Sequence, residues 1–211
     1  MSYLLEAVVV ISVIVFSMVL HELAHGFVAY LLGDTTAKED GRLTLNPLKH
    51  LDPFMSVILP VALFFMGGVV FGGAKPVPVN FSKVKGKEWG MALVALAGPL
   101  MNFLLAFVVF LIGHFTGWIY GDGFRGFACT EFVMINLGFM VFNLIPIPPL
   151  DGSRVLYVLM PDGVREFMNG MEKYGLIVVY ILILLGGGVF TSIMVNAISA
   201  ILNGFYWIVG V

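Results

Sequence analysis

Long apolar segments recur along this chain, each close to the ~20 residues that a helix needs to cross the hydrocarbon core of a bilayer. They run over about Tyr3 to Leu32, Phe54 to Val70, Gly90 to Phe115, Cys129 to Ile145 and Tyr174 to Val189. A last stretch, Ser192 to Val211, reads either as a sixth span or as a helix along the interface, and Gly186, Gly187 and Gly188 mark a break before it. Soluble domains carry about 25% charged residues. Here 60% of the 211 residues are hydrophobic and 11% are charged. A core of this size cannot hide that much apolar surface, so the expected solvent is a lipid bilayer. The expected fold is an all-α polytopic membrane protein of about five to six membrane helices. One integral domain spans 1–211, with its core at about 3–160 and C-terminal helices over 174–211.

The formal net charge is −2, and no basic face of useful size exists, which excludes nucleic acid as a partner. Cys129 is the single cysteine, so an internal disulfide and a cysteine-rich metal site are excluded, and the residue reads as a small packing group. Met1 to Leu5 carry no Lys or Arg, which argues against a cleaved secretory signal and for a permanent first helix.

Charge sets the expected orientation. Lys38, Arg42, Lys49, Lys75, Lys83, Lys85 and Lys87 lie between Gly33 and Glu88, and Arg154, Arg165 and Lys173 lie between the fourth and fifth segments. The connection from Thr116 to Phe127 holds only Arg125, against Asp122. Short basic loops stay cytoplasmic. The N-terminus is therefore expected outside, with the first and fourth segments running inward. A full crossing by Phe54 to Val70 would put Lys75, Lys83, Lys85 and Lys87 outside, so that segment is expected to enter and return from the cytoplasmic side. Thr35 to Leu45, with Asp40-Gly41 as a turn and an alternating Arg42-Leu43-Thr44-Leu45, reads as a short β hairpin. Val77 to Phe81 reads as a further extended segment, because Pro76 and Pro78 exclude regular helix. A small membrane-associated hairpin and strand region is thus expected between the first and third helices.

The apolar run from Ala7 to Leu20 ends on His21, Glu22 and His25. Two histidines four apart project from one helix face and suit two nitrogen ligands of one zinc ion. Glu22 beside them suits a general base toward water at that metal. Ionisable groups at membrane depth are costly and mark function. A catalytic zinc takes three protein ligands and keeps a position for water. His50, His114 and the acidic residues are available as the third, and Asp151 is the best placed. It follows Asn143-Leu144-Ile145-Pro146-Ile147-Pro148-Pro149-Leu150, where three prolines break the fourth segment. His25 lies about eight residues, ~12 Å, from the cytoplasmic end of the first segment, and Asp151 sits just past the cytoplasmic end of the fourth. His114 falls at the outer end of the third, and His50 lies in a polar loop where solvent exposure is expected. Asn102 and Asn143 are amides in apolar surroundings. They suit either contact with a substrate carbonyl or oxyanion, or hydrogen bonds between helices.

Four motifs in order carry a resemblance. His21-Glu22-Leu23-Ala24-His25-Gly26, Gly73-Ala74-Lys75-Pro76-Val77-Pro78-Val79-Asn80, Ala97-Gly98-Pro99 with Asn102, and Asn143 through Pro146 to Asp151-Gly152 resemble the site-2 protease family of intramembrane zinc metalloproteases. The resemblance implies one zinc ion per chain held by His21, His25 and Asp151, with Glu22 as catalytic base and Asn143 orienting substrate. It implies a zinc metalloendopeptidase acting on transmembrane helices of membrane-protein substrates near the cytoplasmic face. It also implies that Gly67 to Asn80 is the counterpart of an extended strand, near the active site, that pairs with the backbone of the unwound substrate. Thr116 to Phe127 is too short for a peptide-binding domain, which implies a minimal member. The expected location is the plasma membrane of a prokaryote, as a multi-pass protein, and the oligomeric state is left open. A membrane metal transporter or channel using the same His and Asp cluster is the alternative. Glu22 between both histidines, and one cluster with no second relay, favour an enzyme.

Overall fold

Every backbone N–H and C=O that enters hydrocarbon must be paired within protein, and a helix does this inside one segment. That requirement overrides the weaker helix propensity of the Val and Ile residues crowding the first apolar segment. The computed structural model describes residues 2–53, 58 and 75–211. Its helices are α1 (Tyr3–Leu31), α2 (Thr36–Glu39), α3 (Lys87–Phe115), α4 (Phe124–Asn143), α5 (Asp151–Leu159), α6 (Asp162–Glu172) and α7 (Gly175–Val209). Single 3-10 turns lie at Pro47–Lys49 and Trp118–Tyr120.

Four helices among the described residues are long and apolar enough to cross a membrane: α1, α3, α4 and the Gly187–Val209 part of α7. This corrects the expected five to six. Gly187, at φ 39° and ψ −127°, interrupts α7 where the three glycines predicted a break. The piece before it, 175–186, is only ~18 Å long at ~1.5 Å per residue, short of the ~30 Å hydrocarbon core. Phe54 to Val70 falls, except for Ile58, outside the described residues.

The β hairpin is also corrected, since no strand occurs among the described residues. Thr36–Glu39 is one helical turn, closed by Glu39 N–H to Thr35 O at 2.9 Å and Asp40 N–H to Thr36 O at 3.0 Å. Residues 75–80 are irregular, without ladder partners among the described residues, so the expected strand is corrected as well. Side chains supply the anchors instead. Asp34, fully buried, accepts from the Thr36 N–H (3.0 Å) and hydroxyl (2.5 Å) and from the Asn80 N–H (2.6 Å). Arg42, also buried, donates from Nη2 to the Lys75 carbonyl (2.9 Å) and the Pro76 carbonyl (3.2 Å). The Lys75 N–H donates to His50 O at 2.8 Å.

The helix α3 is the hub and packs against α1, α4 and α5. Its buried side reads Met91, Ala95, Gly98, Asn102, Ala106, Phe110 and Gly113. Leu100, Leu104, Val108 and Ile112 face outward, as a 3.6-residue period requires of a helix half in lipid. Small residues on the buried side let neighbouring backbones approach closely. At the far end from the histidines, Phe205 of α7 packs on Phe103, Phe107 and Phe110 and closes the core with Val133 and Leu137 of α4. Beyond α4, α5 and α6 form a tied pair. Arg154 pairs with Glu172, and Arg165 donates to the Tyr157 and Val158 carbonyls at 3.0 Å each, closing the C-terminus of α5.

Candidate metal centre

Two turns before its C-terminus, α1 turns His21 and His25 toward α3. Their Nε2 atoms stand 3.0 Å apart. Asp151, the first residue of α5, brings Oδ2 to 3.2 Å from His21 Nε2 and 3.4 Å from His25 Nε2. A triangle with those sides has room for one ion at ~2.0–2.1 Å from each atom, the zinc distance for His and carboxylate ligands.

Two observations test whether a metal fits. Asp151 Oδ2 is a buried oxygen with no hydrogen-bond partner, which is costly unless something cationic meets it. Gly98 of α3 faces the same point. A Cβ there would lie 2.5 Å from His21 Cε1 and His25 Nε2 and 2.6 Å from His21 Nε2. The chain thus keeps open, with a glycine, the space that the ligand atoms border. The residues fit a zinc ion.

The other ring nitrogens are also held. His25 Nδ1 donates to the Val94 carbonyl at 2.7 Å. His21 Nδ1 is 2.6 Å from Asn102 Oδ1. Both contacts leave Nε2 free for a metal, the outer-sphere arrangement that fixes a ligand histidine's tautomer and ring orientation. Glu22 Oε2 accepts the Val77 N–H at 2.8 Å, which places the carboxylate beside the histidines under the 75–80 segment. Gly26 makes that approach possible, because a Cβ there would meet Val77 Cγ1 at 2.8 Å and Leu43 Cδ2 at 2.6 Å. Gly152 does the same for α5: a Cβ would lie 2.1 Å from the Leu144 carbonyl oxygen, so only glycine lets Asp151 tuck back toward α1.

The sequence profile of peptidase family M50 matches residues 9–132. The chain also shares 44% identity over 180 residues with the candidate zinc metalloprotease YwhC of Bacillus subtilis, covering 82% of this chain and 78% of that protein. The chain belongs to peptidase family M50. A further relative is the candidate zinc metalloprotease Rip2 of Mycolicibacterium smegmatis, 32% identical over 87% of this chain and 70% of that protein. At 32% identity over 69% of this chain stands the candidate zinc metalloprotease MJ0611 of Methanocaldococcus jannaschii. No solved structure matches significantly. This M50 chain is a metalloprotease, and its apolar helices make it a multi-pass integral membrane protein.

Within the M50 chain, the sequence-predicted residues divide. His21, His25, Glu22 and Asp151 come together. Asn102 joins them behind His21, with both ends of its amide engaged. Asn143 ends α4, and its Nδ2 donates to the Phe139 carbonyl one turn back at 3.0 Å. His114 lies at the other end of α3, with Nδ1 2.7 Å from the Tyr120 hydroxyl. His50 is a correction: it is 1% exposed rather than solvated, and Nε2 donates to the Thr44 carbonyl at 2.9 Å. Cys129 is buried, as a packing residue should be. Sequence reasoning missed Asn136 and Ser17. Asn136 carried the same signal as Asn102, an amide inside an apolar helix, and Ser17 lies four residues before His21 on the same face of α1.

Proposed function

We propose that the chain hydrolyses peptide bonds in transmembrane segments of other membrane proteins near the cytoplasmic face, with one zinc ion held by His21, His25 and Asp151. The observation that carries this reading is the meeting of those three ligand atoms with Glu22 in a helical membrane bundle. Zinc supplies Lewis acidity toward the scissile carbonyl and the attacking water. Glu22, held at Oε2 by the Val77 N–H, would take a proton from the attacking water and return one to the leaving amine. Asn143, at the end of α4 before the turn to Asp151, orients the substrate beside the metal. A substrate helix has its carbonyls already hydrogen-bonded, so it must unwind first. Residues 75–80 pass over Glu22 and offer backbone to which the unwound segment can add. The relatives come from Bacillus, Mycolicibacterium and Methanocaldococcus, which supports the plasma membrane of a prokaryote as the location.

The test is a reconstituted cleavage assay on a model transmembrane substrate, with zinc content measured in parallel. Glu22→Gln is expected to keep one zinc per chain and lose cleavage by at least ~100-fold, the scale of general acid–base catalysis. A zinc-loaded, active Glu22→Gln protein would remove Glu22 from the mechanism. Zinc flux into the same proteoliposomes without cleavage by the parent would replace the protease reading with a transporter.

A further inference from the structure

Behind His21 lies a chain of buried polar side chains that takes no part in the proposed proton transfer. Asn102 Oδ1 is 2.6 Å from His21 Nδ1, and Asn102 Nδ2 donates to Asn136 Oδ1 at 2.9 Å. Asn136 Nδ2 donates to Ser17 Oγ at 2.8 Å and to the Phe132 carbonyl at 2.9 Å. Ser17, Asn102 and Asn136 are each 0% exposed. Ser17 sits one turn before His21, so the chain leaves α1 at His21, passes through α3 and α4, and returns to α1.

We infer that Asn102 and Asn136, anchored on Ser17, are positioning residues that lock His21 in the tautomer presenting Nε2 to the metal. This rests on the proposed role of His21 as a zinc ligand.

The direction of the chain follows from the metal. A neutral histidine that gives Nε2 to zinc carries its proton on Nδ1. Nδ1–H then requires an acceptor, which only the amide oxygen of Asn102 supplies. That turns the Asn102 NH2 group toward Asn136, which must present its own oxygen. The Asn136 NH2 group is then left to donate, and it finds two acceptors, Ser17 Oγ and the Phe132 carbonyl. Every member is satisfied in one direction. With His21 in the opposite tautomer, Nδ1 would face the lone pairs of Asn102, and reversing both amides to relieve this would turn Asn136 Oδ1 onto the Phe132 carbonyl, two acceptors with no hydrogen between them. A buried amide left unpaired in hydrocarbon is costly. The whole chain therefore biases the tautomer more than one contact does. His25 differs, since its Nδ1 is held by the backbone carbonyl of Val94, which side-chain replacement does not remove.

The test uses the full chain in detergent, with zinc affinity from chelator competition, the visible spectrum of the cobalt-substituted protein, and thermal unfolding of the zinc-free form. Asn102→Leu matches the volume and removes the acceptor. It is expected to weaken zinc binding about 10- to 100-fold, the usual cost of losing an outer-sphere partner, and to shift the cobalt spectrum. Asn102→Asp restores an acceptor for Nδ1–H, the one contact on which the tautomer depends, at the expense of the Asn136 link, and is expected to recover affinity to within several-fold of the parent. Asn136→Leu should show an intermediate loss that adds little to that of Asn102→Leu. Parental zinc affinity and cobalt spectrum in Asn102→Leu would overturn the inference, whatever happens to the stability of the zinc-free form. If Asn102→Leu does not fold, nitrogen NMR of the zinc-loaded parent decides, with the four histidines resolved by the loss of one signal in His21→Ala. An Nε2–H tautomer at His21 overturns the inference, and an Nδ1–H tautomer with intermediate loss in Asn136→Leu supports it. His21→Ala separates the two readings. If it binds zinc like the parent, the ligand assignment itself fails. If it loses zinc while Asn102→Leu does not, only the positioning chain fails.

Discussion

At the scale of single residues, the site is built as much by missing atoms as by ligands. Gly98, Gly26 and Gly152 each hold a place where a Cβ would collide with the machinery, and Gly98 faces the ligand nitrogens themselves. Gly98→Ala adds one methyl group 2.5 Å from His21 Cε1 and His25 Nε2, closer than real Cβ contacts come. The two rings cannot both step aside, because Asn102 and the Val94 carbonyl hold their other nitrogens. The expected outcome is a loss of zinc affinity of at least ~10-fold with helix content unchanged, on the scale seen when ligand orientation is disturbed. Competition with a calibrated chelator, alongside circular dichroism, checks it. Parental affinity in Gly98→Ala would mean that the metal sits elsewhere.

At the scale of elements, the segment 34–50 acts as a clamp on residues 75–80, and that segment in turn holds Glu22. Val77→Pro tests the last link. It removes the N–H that Glu22 Oε2 accepts, in a stretch where Pro76 and Pro78 already restrict the backbone. Turnover is expected to fall roughly 10-fold, toward the low end of acid–base effects, with zinc content unchanged. Unaltered kcat in a cleavage assay would show that the amide does not orient the carboxylate. Asp34 makes the clamp pH-dependent. Burial alone would raise its pKa. The Thr36 hydroxyl and the Asn80 and Thr36 N–H groups, with nearby Lys83, outweigh it and hold the carboxyl below its ordinary value. A depressed carboxyl stabilises the fold fully above its unfolded pKa, ~4, and loses that contribution as pH falls through the folded value. Thermal unfolding below pH 4 should therefore drop more steeply for the parent than for Asp34→Asn, which starts lower at pH 7. Parallel acid limbs would exclude Asp34 as the group responsible. This clamp was not legible in the sequence. The polar alternation of Arg42 to Leu45 is common to hairpins and to loops that fold around a buried charge, and Arg42 finds its carbonyls more than thirty residues away. His50 misled for the same reason, since polar neighbours in sequence do not reveal burial. The all-helical membrane character and four of the spans were legible, because hydropathy acts locally, and the cost of charge in lipid singled out His21, Glu22 and His25 as candidates, whose two histidines the structure brings close to Asp151.

At the scale of the whole molecule, the two ends of the site come from α1 and from the start of α5, with α3 packed against both. Asp151 is held there by a proline-broken turn and by the α5–α6 pair, whose Arg154–Glu172 and Arg165 contacts lie away from the histidines. A metal that joins α1 to α5 therefore ties the first element of the fold to the second half of the chain. Binding to the native state alone stabilises it by about 2.7 kcal/mol at a free zinc concentration 100 times Kd. For a domain of this size, that corresponds to a rise in Tm of roughly 5–10 °C. Chelation should remove this increment from the parent and from Glu22→Gln, whose ligands are intact. In Asp151→Ala the increment should be small with or without chelator, because two histidines on one helix no longer bridge two elements. The measurement is a pair of thermal unfolding curves in detergent for each protein, with and without excess zinc. If Asp151→Ala gained as much from zinc as the parent, α5 would not be part of the metal centre, and the bridge between the halves of the chain would have to be sought at another residue.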